Sequence, residues 1–322
     1  GGFQYVLDAI AAIYDVTRHH GNIRRLNVNV APLDVEQYRQ LLAAGIGTYQ
    51  LFQETYHRET YAAVHTSGKK KDFDWRVSAM DRAMEAGIDD VGLGVLFGLY
   101  DWRFELLSLM QHNAHLEATH GVGAHTISVP RMEPAEGAPL SEQPPAPVSD
   151  ADFKKIIAIL RVAVPYTGII LSTRESAAMR RETYALGVSQ ISAGSRTNPG
   201  GYSDAAIATG QFQLGDHRSL EEIVRELATM GYITSFCTAC YRLGRTGQDF
   251  MDMAKPGLIK KKCDPNAVTT FLEYLQDYGS PETCAAGEAA IAAELLHMDE
   301  KVRKNAEKML GMIRNGKRDV FC

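Results

Sequence analysis

The stretch that decides the fold is FKKIIAILRVAVPYTGIILSTRE, residues 153–175, in which a helical pattern is followed by a strand pattern. Apolar residues recur at helical spacing through residues 153–163, and the run Gly168–Ser172 is short and apolar. A polar cluster, residues 172–175, ends the strand pattern. Because similar units recur along the chain, the pattern predicts a parallel sheet with helical crossovers.

The repeat consists of six strand patterns with helices between them. The predicted strands are Leu26–Val30, Ile46–Phe52, Asp90–Leu96, Thr126–Val129, Gly168–Ser172 and Val188–Ala193. The predicted helices are Gln4–His19, Val35–Ala44, Trp75–Ala86, Trp102–Ala118, Phe153–Ala163 and Ala177–Leu186. Polar clusters end several strands and would share one rim in a barrel, so we expect an α/β fold, a TIM-type (β/α) barrel. Because only six β/α units follow a leading helix, we predict that the first strands of the barrel are missing.

Composition narrows the class of protein. The 322 residues are 45% apolar and 23% charged with a formal net charge of −5, and the longest basic run is Lys69–Lys71. This distribution argues against a nucleic-acid partner, and no run reaches the ~20 apolar residues of a membrane span. We therefore expect a cytoplasmic protein with a barrel over residues 1–215 and a mainly helical extension over residues 216–322.

Four local patterns refine this plan. The proline-rich stretch 132–149 predicts a long surface loop without helix or strand. The glycines of Gly92–Gly98 lie within a predicted strand, which favours close strand packing and a turn over a nucleotide-binding loop. Helical composition at Pro281–Met298 and Glu300–Arg314 predicts a helical cap in the extension.

All five cysteines lie in the last third of the chain. Cys237 and Cys240 form a C-x-x-C pair, and Cys263 follows after 22 intervening residues. Spacing alone leaves open an iron–sulfur cluster, a zinc ion with a further ligand, or three buried free thiols. Cys284 and Cys322 lack the spacing to join such a site, and we assign them to packing or to an exposed thiol.

Four sequence blocks carry a family resemblance: FQETYH (52–57), HTISVPR (125–131), LSTRE (171–175) and SAGSRT (192–197). They resemble the radical S-adenosylmethionine tyrosine lyases. The thiamine-pathway 2-iminoacetate synthases have blocks similar to these four. The C-x-x-C pair with its third cysteine is similar to the FeFe-hydrogenase maturase tyrosine lyases, a resemblance that extends over essentially the whole chain. The C-x-x-x-C-x-x-C motif of this superfamily is absent, so we expect a C-terminal fragment that alone does not cleave S-adenosylmethionine.

For the intact enzyme the resemblance implies a radical cleavage of the Cα–Cβ bond of L-tyrosine, giving p-cresol and dehydroglycine. Dehydroglycine would yield CO and cyanide, captured with L-cysteine as an Fe(CO)2(CN)-cysteine synthon for the hydrogenase H-cluster. The implied cofactors are S-adenosylmethionine, an auxiliary 4Fe-4S cluster with an additional iron on Cys237, Cys240 and Cys263, and a radical 4Fe-4S cluster in the intact protein. Other hydrogenase maturation proteins would be partners. The alternatives are a 2-iminoacetate synthase and a non-enzymatic zinc-stabilised interaction protein.

Glu54 and Arg76 match charged positions that contact S-adenosylmethionine in related maturases. The zwitterionic amino-acid end of that molecule needs both charges. Local pairing of the Glu54 carboxylate and a solvated helix face for Arg76 are the competing interpretations.

The carboxylate of tyrosine is assigned to Arg196, at the end of the last predicted strand, because a planar guanidinium binds a carboxylate through two hydrogen bonds. Ser172 and Arg174 are second choices. A structural salt bridge from Arg174 to Glu175, or a helix dipole, accounts for Arg174 equally well.

A non-cysteine ligand for the additional iron is sought among His112, His115, His120 and His125. We favour His125, at the N-terminal end of its predicted strand and hence at the barrel bottom, where a cluster-bearing extension would meet it. His112 and His115 have helical spacing to core positions and are expected to pack or cap, and His120 reads as a helix C-terminal cation. The alternative to a histidine is that water or substrate is the ligand of the additional iron.

Overall fold

The structure of the chain is a computed structural model. It describes residues 2–18, 21–198, 201 and 210–322. The chain divides into two compact units, here called unit 1 and unit 2. Unit 1 comprises Gly1–Val16 and Arg25–His217, and unit 2 comprises Thr17–Arg24 and Arg218–Cys322.

The strands of the described residues are β1 Thr17–Arg18, β2 Gly21–Asn22, β3 Tyr49–Gln50, β4 Val91–Gly94, β5 Thr126–Ser128, β6 Gly168–Leu171 and β7 Gln190–Ile191. The helices of unit 1 are α1 Phe3–Tyr14, α2 Val35–Ala43, α3 Arg58–Val64, α4 Phe73–Val77, α5 Ala79–Glu85, α6 Trp102–His120, α7 Pro139–Glu142, α8 Asp150–Ala163 and α9 Ala177–Tyr184. Unit 2 contributes α10 Leu220–Thr229, α11 Ala239–Arg242, α12 Gly247–Ala254, α13 Lys260–Tyr278, α14 Pro281–His297 and α15 Glu300–Arg314.

Unit 1 is built on a parallel sheet in the order β3-β4-β5-β6-β7, which is also the order along the chain. Each strand pairs in parallel with the next, as in the registers Gly92↔Thr126 and Ile170↔Gln190. Successive parallel strands joined by helices form the repeating β/α unit that the sequence predicts. The predicted strand Leu26–Val30 is present only as one parallel bridge, Val28↔Tyr49, on the outer side of β3.

The glycines of β4 are explained by close packing. A Cβ atom added to Gly92 would lie 2.6 Å from Thr126 Oγ1, and one added to Gly94 would lie 2.6 Å from the Phe52 ring. Gly98 has φ of 125°, which glycine adopts most readily. The structural interpretation of this glycine run, strand packing and a turn, is confirmed.

Three sequence expectations are wrong in detail. The first helix ends at Tyr14, and strand β1, which pairs antiparallel with β2, lies where the helix was predicted to continue. The predicted helix Trp75–Ala86 breaks at Ser78, whose hydroxyl donates to Asp74 O at 2.5 Å, a contact that bends helices. The proline-rich loop contains the one-turn helix α7, with Pro139 in its first turn, where proline is tolerated.

Unit 2 is helical around its own apolar core. Buried side chains from α10, α13, α14 and α15 form that core, among them Val224, Phe271, Leu272, Ile291 and Leu310. The predicted helices of the cap are present, since α14 and α15 match them to within one residue. No helix in the described part of the chain is both long and apolar enough to cross a membrane.

Candidate active site and metal centre

The loop after β3 holds the first group of candidate residues in a strained conformation. Glu54 has φ of 73°, a left-handed backbone that non-glycine residues adopt at a cost. Its neighbours are fixed by Glu105 of α6, which is 0% exposed and accepts hydrogen bonds from Thr55 Oγ1 and from Tyr56 N, the latter at 2.8 Å. A buried carboxylate from a distant helix therefore fixes the turn in which Glu54 lies.

The Glu54 carboxylate lies among three donors. His65 Nε2 is 2.9 Å from Oε2, and Oε1 is 2.5 Å from Lys70 Nζ and 3.3 Å from Arg76 Nη2. Burial alone would raise the pKa of Glu54, but the hydrogen bonds from His65 and Lys70 and the charges of Lys70 and Arg76 lower it to about 2. Because Lys70 and Arg76 are both cationic and Glu54 carries one negative charge, these three side chains together have a net positive charge.

The structure thus brings together Glu54 and Arg76 through local pairing of the Glu54 carboxylate. Arg76 is buried, so the interpretation that it lies on a solvated helix face is wrong. The assignment of both residues to S-adenosylmethionine stays a prediction. Arg76 is also anchored on the β3 end, since its Nε and Nη2 donate to Phe52 O at 3.0 and 2.6 Å. Sequence reasoning missed His65 and Lys70. Lys70 belongs to the basic run that marked a loop, and no spacing rule relates that loop to the end of β3.

The second-choice substrate residues follow β6. Ser172 Oγ accepts from Arg174 N at 3.2 Å, and the Arg174 guanidinium lies 3.5 Å from the centre of the Phe212 ring. Burial lowers the pKa of Arg174. The alternative of an Arg174–Glu175 salt bridge is wrong, because Glu175 pairs with Arg131, whose Nε donates to Glu175 Oε1 at 2.9 Å.

Arg174 lines a pocket of about 320 Å³ in unit 1, at the lower end of small-molecule sites. Arg131 and four carboxylates, Glu133, Asp150, Glu175 and Glu182, also line it. The first-choice residue, Arg196, follows β7, is exposed, and donates from Nη1 to Ser195 O at 3.1 Å. The assignments of Arg196, Ser172 and Arg174 to a tyrosine carboxylate stay predictions.

His125 lies directly before β5, at the N-terminal end of the strand as expected. Its Nδ1 is 3.9 Å from Asp90 Oδ2, and its backbone joins the sheet through N to Val91 O at 2.9 Å. His125 belongs to unit 1, whereas the cysteines belong to unit 2. Its role as an iron ligand stays a prediction.

The three histidines of α6 have separate environments. His112 Nδ1 is 2.8 Å from Tyr56 Oη, and burial lowers its pKa to about 4, which fits the packing role expected of it. The same expectation is wrong for His115, which is exposed and has Nε2 2.7 Å from Asp81 Oδ1. His120 lies in the last turn of α6, where a helix C-terminal cation was expected, and its Nε2 is 3.2 Å from the same oxygen.

The cysteine pair and the third cysteine come from two segments of unit 2. Cys237 precedes α11, Cys240 lies in α11, and Cys263 lies in the first turn of α13. Ala239 N donates to Cys237 Sγ at 3.3 Å. Burial raises the pKa of Cys263 to about 12, with smaller increments from Cys240 and Cys237.

The residue types of the cysteine centre, three thiols beside a buried arginine, are of the kind that holds an iron–sulfur cluster. Arg245 Nε is buried without a hydrogen-bond partner among the described residues, and the Arg245 charge lowers the pKa of both Cys237 and Cys263. As the side chains lie, no three His, Cys, Asp or Glu residues of the described ranges could hold one metal ion. Zinc at ~2.3 Å needs converging thiolates, whereas a cluster spans several atoms and accepts wider spacing and N–H donors to sulfur.

The remaining cysteines differ from each other. Cys284 Sγ donates to Leu275 O at 3.2 Å and packs against the core of unit 2, which confirms its assignment to packing. Cys322 is among the charges that raise the pKa of Cys237, after the larger effect of burial. Cys322 is a half-buried free cysteine, and its assignment to packing or an exposed thiol stays a prediction.

Comparisons with known proteins agree with this architecture. The family model of the Biotin and Thiamin Synthesis associated domain matches residues 128–233. The 2-iminoacetate synthase of Salmonella typhimurium is 36% identical over 219 residues, which cover 66% of this chain and 57% of the relative. The 2-iminoacetate synthase of Escherichia coli K12 is 35% identical over 207 residues, which cover 64% of this chain and 54% of the relative. The chain thus spans little more than half the length of these relatives.

Two solved structures are similar over nearly the whole chain. A crystal structure of HydG, a maturase of the [FeFe]-hydrogenase, is 52% identical with a TM-score of 0.95, covering 99% of this chain and 70% of that one. The HydG structure from Carboxydothermus hydrogenoformans is 43% identical with a TM-score of 0.79, covering 96% and 66%.

The fold and its two candidate centres define a protein of the radical S-adenosylmethionine barrel class with a helical, cysteine-bearing extension. Within that class, the chain belongs to the HydG family of FeFe-hydrogenase maturases. The fold class and the family resemblance drawn from the sequence blocks are both confirmed.

Proposed function

We propose that this chain supplies the substrate-binding barrel and the cysteine centre of a tyrosine lyase that serves FeFe-hydrogenase maturation. The activity is cleavage of the Cα–Cβ bond of L-tyrosine to p-cresol and dehydroglycine, with CO and cyanide from dehydroglycine collected with L-cysteine on iron. The observation that carries the proposal is the C-x-x-C pair of Cys237 and Cys240, followed by Cys263 after 22 residues, in a chain 52% identical to a HydG structure.

The Glu54 loop is suited to the amino-acid end of S-adenosylmethionine. Lys70 and Arg76 provide the positive surplus that attracts the carboxylate, and Glu54 provides an acceptor for the ammonium group. The low pKa of Glu54 keeps this acceptor ionised at neutral pH. Positioning of this kind is what the protein contributes when cofactors perform the difficult chemistry.

We assign tyrosine binding to residues that follow the ends of strands β6 and β7. The exposed guanidinium of Arg196 is suited to bind the substrate carboxylate at two oxygens. Ser172 and Arg174 offer a hydroxyl and a second guanidinium after the neighbouring strand β6. The carboxylates that line the Arg174 pocket disfavour an anion there, which supports Arg196 as the first choice.

Cys237, Cys240 and Cys263 would hold the auxiliary cluster, with the Ala239 N–H group and the Arg245 guanidinium stabilising negative sulfur. When bound, the clusters of such enzymes supply electrons and a site for diatomic ligands. Three protein thiolates leave one coordination position for a further ligand, and His125 is the proposed protein candidate for the additional iron.

The cluster is tested by anaerobic reconstitution with ferrous iron and sulfide. We expect iron and sulfide to bind in equal amounts with a charge-transfer absorption, and Cys237→Ala to abolish it. Cys284→Ala is the matched control, because its thiol packs in the core of unit 2. Stoichiometric zinc uptake without iron or sulfide, unchanged in Cys237→Ala, would sink the cluster assignment.

The activity is tested by p-cresol release from tyrosine. We expect none from this chain alone, and release from a chimera in which the N-terminal segment of the Carboxydothermus hydrogenoformans maturase precedes it. Glu54→Gln in the chimera should raise the requirement for S-adenosylmethionine, whereas Glu36→Gln on the exposed face of α2 should not. Release of p-cresol by the unextended chain would refute the need for the added segment.

The second candidate activity, 2-iminoacetate synthesis, is favoured by the 36% identity to the Salmonella typhimurium enzyme. The same chimera separates the two. Carbon monoxide and cyanide among the products support the maturase, whereas 2-iminoacetate with its hydrolysis product glyoxylate and no CO supports the synthase.

A further inference from the structure

One buried side chain beside Glu54 has no role in the proposed function. His65 lies at the C-terminal end of α3, and its side chain is 7% exposed, whereas that of Lys70, the neighbouring donor to Glu54, is 49% exposed. The His65 ring packs against the ring of Tyr61, one helical turn earlier, with the ring centres 4.2 Å apart. A buried imidazole needs hydrogen-bond partners for its nitrogens, because burial removes the water that would satisfy them.

Each ring nitrogen of His65 faces an oxygen atom. Nε2 is 2.9 Å from Glu54 Oε2, and Nδ1 is 3.1 Å from the backbone oxygen of Tyr61. An ionised carboxylate only accepts hydrogen bonds, so Nε2 is the donor to Glu54. The backbone N of His65 also donates to Tyr61 O, at 3.0 Å. The end of α3 therefore fixes the position from which the ring reaches Glu54.

Tyr61, against which the His65 ring packs, is itself fixed by two other segments. It is 0% exposed, and its Oη donates to Lys70 O at 2.6 Å. Its ring lies edge-on to the ring of Phe73 in α4, with the ring centres 5.1 Å apart. His65 thus rests on a packed aromatic side chain.

The two carboxylate oxygens of Glu54 have different surroundings. Oε2 faces the buried His65, whereas Oε1 faces Lys70 and, at 3.3 Å, Arg76. The terminal torsion of a glutamate side chain is broad, so a fixed donor is needed to set the carboxylate plane. Lys70 has a flexible stem and is half exposed, and Arg76 donates at shorter range to Phe52 O. The short, buried side chain of His65 is the donor best suited to fix the plane.

We propose that His65 is a positioning residue that fixes Oε2 of Glu54, so that Oε1 is presented to the ammonium group of S-adenosylmethionine. The inference rests on the proposed function, which assigns Glu54 to that group. In this role His65 acts through Glu54 alone. It should therefore change the binding of S-adenosylmethionine and leave the rate of the chemical step unchanged.

Two amide replacements separate the two hydrogen bonds of His65. A glutamine amide nitrogen replaces Nε2 and an asparagine amide nitrogen replaces Nδ1, so His65→Gln keeps the donor to Glu54 and His65→Asn loses it. In the chimera with the N-terminal maturase segment, kcat and the KM for S-adenosylmethionine are measured from p-cresol release. We expect His65→Asn to raise this KM about tenfold with kcat unchanged, since one hydrogen bond to a charged group is lost. His65→Gln should stay within about twofold of the parent.

The matched control is His297→Asn, an exposed histidine in the last turn of α14, which should alter neither parameter. His65→Phe keeps a ring against Tyr61 and takes the place of His65→Asn if the asparagine variant does not fold.

A double variant separates failure of this inference from failure of the proposed function. Because His65 acts through Glu54, His65→Asn should raise the KM no further in a chimera that already carries Glu54→Gln. An equal rise in both backgrounds, or equal KM values for His65→Asn and His65→Gln, overturns the positioning role alone. If Glu54→Gln itself leaves the KM unchanged, the assignment of Glu54 to S-adenosylmethionine and this inference fail together.

Discussion

Two residues have the same unusual backbone, one in the loop after β3 and one near the end of unit 2. Among the described residues, the non-glycine positions with positive φ are Glu54 and Asp319, at 73° and 61°. Each is held by ion pairs, Glu54 by Lys70 and Arg76 and Asp319 by Arg242. Strained residues of this kind cluster at functional sites because the surrounding contacts maintain the strain. The outlier at Glu54 therefore supports the centre after β3 independently of family likeness, whereas aspartate adopts the left-handed region more readily.

The ion pairs of Glu54 are tested by the pH dependence of folding stability when Glu54 is replaced by glutamine. Its pKa is lowered from 4.5 to about 2, so the carboxylate stabilises the folded state above pH 4.5, and this stability is lost as pH falls towards 2. Glu54→Gln should reduce the free energy of unfolding by about 3 kcal/mol at pH 7 and by progressively less below pH 4.5. Urea unfolding followed by tryptophan fluorescence measures this, because Trp75 and Trp102 both lie in unit 1.

The control for Glu54 is Glu36→Gln, which removes an exposed pair with Arg39 on α2. Exposed pairs contribute roughly 0–1 kcal/mol, so a small difference is expected at every pH. A Glu54→Gln difference that stays constant from pH 7 to pH 2 would contradict the ion-pair account.

Glu105 is expected to fix the turn that contains Glu54. Glu105→Leu removes the acceptor of two buried donors, Thr55 Oγ1 and Tyr56 N, and each unsatisfied donor costs about 1–3 kcal/mol. We expect a loss of about 2–4 kcal/mol in the free energy of unfolding of unit 1 by urea titration. Glu105→Gln, which can rearrange to keep an acceptor for Tyr56 N, should lose less. Equal stability of Glu105→Leu and the parent protein would show that the turn containing Glu54 does not depend on Glu105.

At the scale of elements, β4 requires glycine because its neighbours leave no space. Gly94→Ala would place a methyl group 2.6 Å from the Phe52 ring, so the ring or the strand must shift. Overpacking of this kind costs about 1–3 kcal/mol. We expect that loss for unit 1 in urea unfolding followed by fluorescence.

A glycine in a helix of unit 2 provides the opposite case. A Cβ added to Gly311 of α15 meets nothing within 4 Å. Alanine favours helix over glycine by about 0.5–1 kcal/mol, so Gly311→Ala should raise the stability of unit 2 by that amount in circular dichroism. If Gly94→Ala were stabilising as well, the close contact in β4 would be disproved.

At the scale of the whole molecule, a bound cluster should stabilise the unit that contains its ligands. Any ligand that binds the folded state alone raises stability by RT ln(1 + [L]/Kd). Loading with iron and sulfide should therefore raise the thermal midpoint that circular dichroism records for the helices of unit 2. Cys237→Ala should abolish this rise, and an equal rise in that variant would show that iron acts elsewhere.

The sequence by itself determined the parallel β/α repeat, the helical extension, the family and the cysteine spacing, because these depend on local periodicity and short motifs. Only the tertiary structure decided which distant groups meet. The Thr55–Glu105 bond joins residues 50 apart, Arg131–Glu175 joins residues 44 apart, and Arg245–Cys322 joins residues 77 apart. Local patterns encode which face a residue occupies, whereas such contacts depend on how the elements pack, and this is why the turn of Glu54 and the contact of Arg245 with Cys322 escaped prediction.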